Sequence, residues 1–172
     1  MLKSVLIANR GEIARRIIRT AKVLGIETIA VYSDIDQEFL FVQEADRALR
    51  IGEAKPRDSY LSIDRIIAAA RESGASAIHP GYGFLSERWE FAQRCEREGL
   101  IFIGPSSNVI HEMGDKYRSR EIATSLGIPI PPGSGILNSV EEAKEWGVKR
   151  GVVKRCVKRL GNSEYLLLFI FL

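Results

Sequence analysis

Short apolar runs alternate with segments of helical periodicity over residues 1–103, and this alternation constrains the fold more than any other feature. Val5–Ala8 is a continuous apolar run, which predicts a strand buried on both faces. Apolar residues then recur at helical spacing from Ile13 to Leu24, and Gly25 is placed to end that helix. Thr28–Tyr32 is a second apolar run. The segment therefore predicts a strand–helix–strand unit with a right-handed parallel crossover.

The alternation continues along the chain with further apolar runs and amphipathic segments. It predicts strands at Ala48–Ile51, Ala75–Ile78 and Leu100–Ile103, and helices at Ile63–Ala70, after Ser62 as N-cap, and Glu87–Arg97. Strands that alternate with helices in this way are typical of an α/β domain. We therefore predict an open parallel sheet with helices on both faces.

The pattern changes after Pro105. Two short helices are expected, at Val109–Met113 and at Lys116–Leu126, and three of the six prolines then fall within residues 128–135. A further helix over Ser139–Trp146 has the sequence of a capping box. We therefore predict an N-terminal domain over 1–126, a Pro-rich linker with the start of a further region over 127–146, and an atypical tail over 147–172.

Charge is distributed unevenly along the chain. Residues 1–148 hold 19 Lys and Arg against 21 Asp and Glu, whereas residues 149–172 hold 6 basic residues and 1 acid. The main domain is nearly neutral, so neither nucleic acid nor a membrane is an expected partner. The chain has two cysteines, which indicates a reducing compartment. It starts directly in an apolar strand, and its longest apolar run is the seven residues Leu166–Leu172. We therefore expect a cytoplasmic chain without a targeting or membrane-spanning segment.

Ligands of open parallel sheets bind beyond the carboxyl ends of the strands. The candidate loops are Asn9–Glu12, Ser33–Asp36, Gly52–Pro56, His79–Glu87 and Gly104–Ser107. The first loop has one glycine, Gly11, where a dinucleotide fingerprint needs three. Arg10 could face an anion there, or Arg10 and Glu12 could pair with neighbours and hold the turn.

The loop His79–Glu87 is the most informative of these segments. Proline and alternating glycines predict that Tyr82 is exposed on a strained loop that faces a ligand. The alternative is that Tyr82 and Phe84 fold back into a small core. For His79 alone, a hydrogen-bonded core histidine is the favoured interpretation.

Lys116 follows Gly114-Asp115 at a helix start, where an ammonium group suits a phosphate chain. An exposed helix lysine is the alternative. Cys95 lies on the apolar face of its helix and is expected in the core. No nucleophile set and no metal-ligand cluster is apparent in the sequence.

Four motifs together resemble the N-terminal domain of biotin carboxylase, an ATP-grasp ligase that serves acetyl-CoA, propionyl-CoA and pyruvate carboxylases. They are Ile7-Ala8-Asn9-Arg10-Gly11-Glu12-Ile13-Ala14, Ala77–Glu87, Phe102-Ile103-Gly104-Pro105 and Met113-Gly114-Asp115-Lys116. The resemblance covers residues 1–146 and implies a Rossmann-like pre-ATP-grasp fold.

The resemblance also implies an activity. In the family, ATP with magnesium activates bicarbonate to carboxyphosphate, and the carboxyl group passes to biotin held on a carrier protein that also serves a carboxyltransferase. By their motifs, Lys116 would contact ATP and Tyr82 would lie near biotin. Arg16 and Arg19 would lie near a homodimer contact.

Residues 147–172 depart from the family. The glycine-rich loop, the magnesium-binding glutamates and the bicarbonate-binding basic residues have no counterparts in the sequence, so no catalytic residue and no metal ligand is predicted. We expect a truncated or frameshifted carboxylase that is inactive alone. Two alternatives stay open. One is a non-catalytic module that docks on an intact carboxylase through the Arg16/Arg19 helix. The other is the N-terminal domain of another nucleotide-binding protein, either an ATP-grasp ligase or a dinucleotide oxidoreductase.

Overall fold

A computed structural model describes residues 2–131 and 137–149 of the chain. Its contacts group the chain into two compact units, Met1–Asp115 and Lys116–Leu172. The predicted ends of the N-terminal domain at residue 126 and of the linker region at residue 146 stay predictions. Most of the predicted tail, from residue 150 onward, lies outside the described residues.

The first unit is built on a five-stranded sheet in which every neighbouring pair is parallel. The strands are β1 (Ser4–Ile7), β2 (Glu27–Ser33), β3 (Arg47–Gly52), β4 (Ala77–His79) and β5 (Ile101–Phe102). Their order across the sheet is β3-β2-β1-β4-β5. The predicted open parallel α/β fold is confirmed, and β1 occupies the centre.

Five α-helices of the first unit connect or follow the strands, and the described residues of the second unit form two more. The first five are α1 (Gly11–Val23), α2 (Leu40–Glu44), α3 (Ile63–Ser73), α4 (Trp89–Arg97) and α5 (Ser107–Gly114). The second unit contains α6 (Lys116–Ser125) and α7 (Val140–Lys149). No helix within these described ranges is long and apolar enough to cross a bilayer.

Helix α1 shows why the sequence folds as it does. Ala14, Ile17, Ile18 and Ala21 form one buried stripe, because residues three and four apart share a helix face. Gly25 follows the helix with φ +68°, a left-handed conformation that glycine adopts without a Cβ penalty. The chain then enters β2 and pairs parallel to β1.

The sheet separates two apolar layers. Leu6 faces a cluster with residues of α3 and α4, whereas the adjacent Ile7 faces a cluster with residues of α1 and α2. Successive side chains of a strand point to opposite faces, so a fully apolar strand such as β1 must be covered on both. Cys95 lies in the first cluster, and burial raises the pKa of its thiol to about 12. This agrees with the predicted core position.

Besides small shifts of element ends, the structure differs from the sequence-based predictions at one helix and two caps. Helix α2 was missed because its five residues are too few for a clear period, and it is tied to α1 by a bidentate bond from Arg15 to Glu44. Ser62 precedes α3, but its side chain makes no capping bond in the described structure. The box before α7 is partial. The Ser139 hydroxyl accepts from the Glu142 N–H, while the Glu142 carboxylate accepts from Asn138 instead of Ser139.

Candidate functional site

Two loops meet at the carboxyl edge of the sheet. β1 and β4 are parallel neighbours, with Ile7 opposite His79, so the residues that follow them emerge side by side. The turn from β1 into α1 therefore contacts the loop between β4 and α4. Such an edge, at the centre of an open parallel sheet, is where ligands bind. We take the two loops together as the candidate site.

Asn9 joins the two loops. Its buried side-chain amide donates to the carbonyl oxygens of Pro80 at 2.9 Å and Tyr82 at 2.8 Å, and its own oxygen accepts from the Arg10 N–H at 2.9 Å. Gly81 makes this approach feasible. It has φ +67°, and a Cβ there would lie 2.6 Å from the amide nitrogen of Asn9. The loop is therefore held by a side chain from the first strand.

The loop adopts a left-handed backbone three times within four residues. Gly81, Gly83 and Phe84 have φ values of +67°, +64° and +46°. A positive φ is unusual for phenylalanine, and its cost is offset here by stacking of the ring on Tyr60, with ring centroids 5.2 Å apart. Tyr82, between the glycines, stays 61% exposed. The alternative prediction was that Tyr82 and Phe84 both fold back into a small core. In the structure Phe84 does so and Tyr82 does not.

Arg10 lies over this aromatic pair. Its guanidinium carbon is 5.5 Å from the ring centroids of both Tyr60 and Phe84, within the range of a cation–π contact. One of its nitrogens is also 3.6 Å from a carboxylate oxygen of Asp36. The predicted alternative, that Arg10 pairs with neighbours and holds the turn, describes its contacts in the structure.

Asp36 is a fully buried carboxylate. One oxygen accepts from the hydroxyl groups of Ser33 at 2.5 Å and Tyr60 at 2.7 Å. The other has no hydrogen-bond partner among the described residues and faces Arg10. Burial, and then the bond to Asp36, raises the pKa of the Tyr60 phenol, so this hydroxyl remains a donor. The carboxylate thus depends on Arg10 for compensation of its charge.

Tyr82 is tied to the turn as well. Its hydroxyl donates to the carboxylate of Glu12 in the first turn of α1. This bond, together with the negative charge of Glu12, raises the pKa of the Tyr82 phenol. Glu12, like Arg10, therefore pairs with a neighbouring residue. Its partner is Tyr82, the residue that the sequence analysis singled out.

His79 lies half-buried at the end of β4. Its Nδ1 accepts the N–H of Gly81 at 3.0 Å, and burial lowers the pKa of the imidazole. Both observations favour the neutral ring with Nδ1 unprotonated, because a proton there would remove the acceptor. The predicted hydrogen bond is present, but His79 is half-buried and not a fully buried core residue.

The other predicted site residues lie elsewhere. Arg16 and Arg19 are exposed on α1, and Arg16 borders an apolar groove of about 490 Å³. The groove is lined by apolar residues that include Leu2, Val5, Ile17, Leu24 and Ile103. Lys116 is the first residue of α6, exposed, in the second unit. The predicted ATP and biotin contacts thus belong to different units.

The described residues do not fit a magnesium site. Nowhere in 2–131 or 137–149 do three His, Cys, Asp or Glu side chains come together as possible ligands. One Asp36 oxygen is the one buried side-chain acceptor without a hydrogen bond in these ranges, and a guanidinium already faces it. No chemical step through a metal is therefore assigned to these residues.

Two residues of the site were not singled out by sequence reasoning. Asp36 ends a loop that was already a candidate, but nothing in the sequence separates it from Asp34 two residues earlier, which is exposed and paired with Arg50. Tyr60 reaches the site from a turn before α3. No local pattern indicates either position, since both depend on contacts between distant segments.

The fold and the site define an open parallel α/β domain with a glycine-rich loop after its fourth strand. The family model for the biotin carboxylase N-terminal domain matches residues 1–110. The chain therefore belongs to the biotin carboxylase N-terminal domain family.

Relatives and solved structures agree with this assignment. The chain is 53% identical over 144 residues to biotin carboxylase 1 of Bacillus subtilis, covering 83% of this chain and 32% of that protein. It is 54% identical over 145 residues to the 2-oxoglutarate carboxylase small subunit of Hydrogenobacter thermophilus, covering 84% and 30%. A Campylobacter jejuni biotin carboxylase structure superposes with TM-score 0.84 at 45% identity, covering 88% and 34%.

A further structure is the biotin carboxylase domain dimer of the Hydrogenobacter 2-oxoglutarate carboxylase, solved with MgADP, ADP and bicarbonate. It superposes with TM-score 0.82 at 53% identity, covering 87% of this chain and 33% of that one. The chain thus spans about a third of the length of these relatives and corresponds to their N-terminal part.

Proposed function

We propose that the chain supplies the biotin-side loop of an ATP-dependent biotin carboxylase and does not turn over by itself. The observation that carries the proposal is the intact His79–Glu87 loop, held by Asn9 and Arg10, in a domain of the matching family. Tyr82 would lie beside biotin on the carrier protein. Bicarbonate would be the carboxyl source, and a carboxyltransferase the next partner.

Lys116 would contact ATP in the complete enzyme. Its exposed position at the start of α6 is compatible with this role. ATP with magnesium would supply the phosphoryl group that activates bicarbonate, and such transfer needs several cations placed around the phosphates. One lysine does not provide that arrangement. We therefore infer that the described residues bind and orient, and that phosphoryl transfer needs groups beyond them. The free thiol of Cys95 fits the proposed cytoplasmic location.

An assay with two arms tests this function. The 172-residue chain, given MgATP, bicarbonate and free biotin, is expected to form no carboxybiotin above the no-enzyme rate, with Bacillus subtilis biotin carboxylase 1 as the positive control. A hybrid of that enzyme carrying residues 1–126 of this chain is expected to be active. Carboxybiotin formed by the chain alone would contradict the claim of no turnover. A folded but inactive hybrid would contradict the proposed contribution of the loop.

A second candidate function is docking on an intact carboxylase subunit through the helix that carries Arg16 and Arg19. The apolar groove beside Arg16 favours it, because uncovered apolar surface rimmed by polar groups is typical of contact sites.

This second function predicts that the chain is retained by immobilised full-length biotin carboxylase. Replacing both Arg16 and Arg19 by glutamate should reduce retention at least ten-fold, because each change reverses a charge at the proposed contact. Arg57→Glu, an exposed residue outside α1, is the matched control and should bind like the original chain. Equal retention of all three proteins, or none by the original chain, would argue against docking through α1.

A further inference from the structure

The backbone of Tyr82 is fixed from the side of the first strand. Asn9 holds the carbonyl groups of Pro80 and Tyr82, so the backbone on both sides of Gly81 has little freedom. The ring of Phe84, two residues further, is stacked on Tyr60 under Arg10. The loop therefore presents Tyr82 from a rigid base, and the side chain of Tyr82 is the part still free to move.

That side chain has one polar atom, its hydroxyl oxygen, which is hydrogen-bonded to Glu12. The phenol hydroxyl donates to the carboxylate of Glu12. Glu12 is itself anchored, because it belongs to the first turn of α1, where the helix dipole favours a negative charge. A hydroxyl has a single proton to donate, so while this bond is made it donates to nothing else. The ring remains exposed.

We propose that Glu12 is a positioning residue for Tyr82, which holds the phenol hydroxyl and leaves the ring as the surface that a ligand meets. The inference rests on the proposed function for the identity of that ligand. A planar, uncharged group such as the ureido ring of biotin is then met by the face or edge of the Tyr82 ring. The Glu12 contact itself can be measured without any ligand.

The experiment follows the ionisation of Tyr82 in the full 172-residue chain by NMR with tyrosine labelled at the ring carbon that bears the hydroxyl. Tyr82→Phe identifies the signal among the five tyrosines. In Glu12→Ala the proton affinity of Tyr82 should fall about five-fold, the factor expected for loss of a unit charge at contact distance in water. In Glu12→Gln the proton affinity of Tyr82 should fall less, because the glutamine amide oxygen can still accept the hydrogen bond from the phenol.

Glu72→Gln is the matched control. Glu72 is exposed on α3, so this change removes one negative charge without touching the loop, and the Tyr82 ionisation should not move. Circular dichroism establishes that each variant is folded, and Glu12→Gln serves if Glu12→Ala is not. A Tyr82 ionisation that is the same in the original chain, in the folded Glu12 variants and in Glu72→Gln would overturn the proposal.

Free biotin added to the same samples separates the two claims. If biotin moves the Tyr82 ring signal in the original chain and less in Glu12→Ala, both the ligand and the positioning role are supported. If biotin moves no signal in any sample while the ionisation falls in Glu12→Ala, the positioning role is supported and the proposed biotin contact of this chain fails.

Discussion

Replacing Arg10 by methionine is expected to lower the free energy of unfolding by about 3 kcal/mol, because it leaves a buried carboxylate without its facing charge. Asp36 is fully buried and keeps two hydroxyl donors in the variant, but the oxygen that faces Arg10 has no hydrogen bond among the described residues. The variant also loses the cation–π contacts with Tyr60 and Phe84. Urea unfolding followed by circular dichroism measures the change.

Arg50→Met is the matched control for this prediction. Arg50 pairs with Asp34, two residues before Asp36, but both side chains are about half exposed. Exposed ion pairs contribute about 0–1 kcal/mol, since water and salt screen them. The two substitutions remove the same charge beside the same short 3-10 helix, Asp34–Asp36. Equal losses of unfolding free energy in the two variants would contradict the claim that Arg10 stabilises the protein because its partner Asp36 is buried.

Gly81→Ala is expected to lower the free energy of unfolding by about 3 kcal/mol and to release the Tyr82 loop. About 1–2 kcal/mol comes from placing a Cβ at a positive φ. About 1–3 kcal/mol more follows because the Cβ displaces the Asn9 amide, 2.6 Å away, from its two carbonyl partners. Besides urea unfolding, faster chymotrypsin cleavage after Tyr82 reports the released loop.

Gly83→Ala separates backbone strain from the loss of Asn9 contacts. Gly83 lies two residues further in the same loop with φ +64°, and a Cβ there meets no described atom within 4 Å. Only the cost of the positive φ, about 1–2 kcal/mol, is therefore expected, and cleavage after Tyr82 should stay slow. If both alanine variants are destabilised alike, the approach of Asn9 to Gly81 contributes nothing to the loop.

Most of the fold could be predicted because the strong signals are local. The stripe of α1 and the apolar run of β1 are local patterns, and the ends of both elements lie one or two residues from the predicted ends. β5 was predicted as four residues and has two, Ile101–Phe102, since parallel pairing with β4 sets its length. Pairing depends on the partner strand, which local composition does not reveal.

The site was predictable only in part, for a related reason. Proline and glycine spacing indicated that Tyr82 is exposed at a strand end, because backbone preferences are local. The same spacing gave no means of deciding whether Arg10 meets an anion or a neighbour. That outcome is determined by Asp36 and Tyr60, which reach Arg10 from two other loops. A single sequence carries no signal for such an encounter.

The bond from Asn9 to the carbonyl of Pro80 joins residues 71 positions apart. A nascent chain released only as far as β3 cannot form this bond, because β4 and the loop that follows it have not yet emerged. Closing so long a segment of chain costs entropy before any contact repays it. The candidate site can therefore form only once β4 lies beside β1, so its completion requires that these two central strands are correctly aligned.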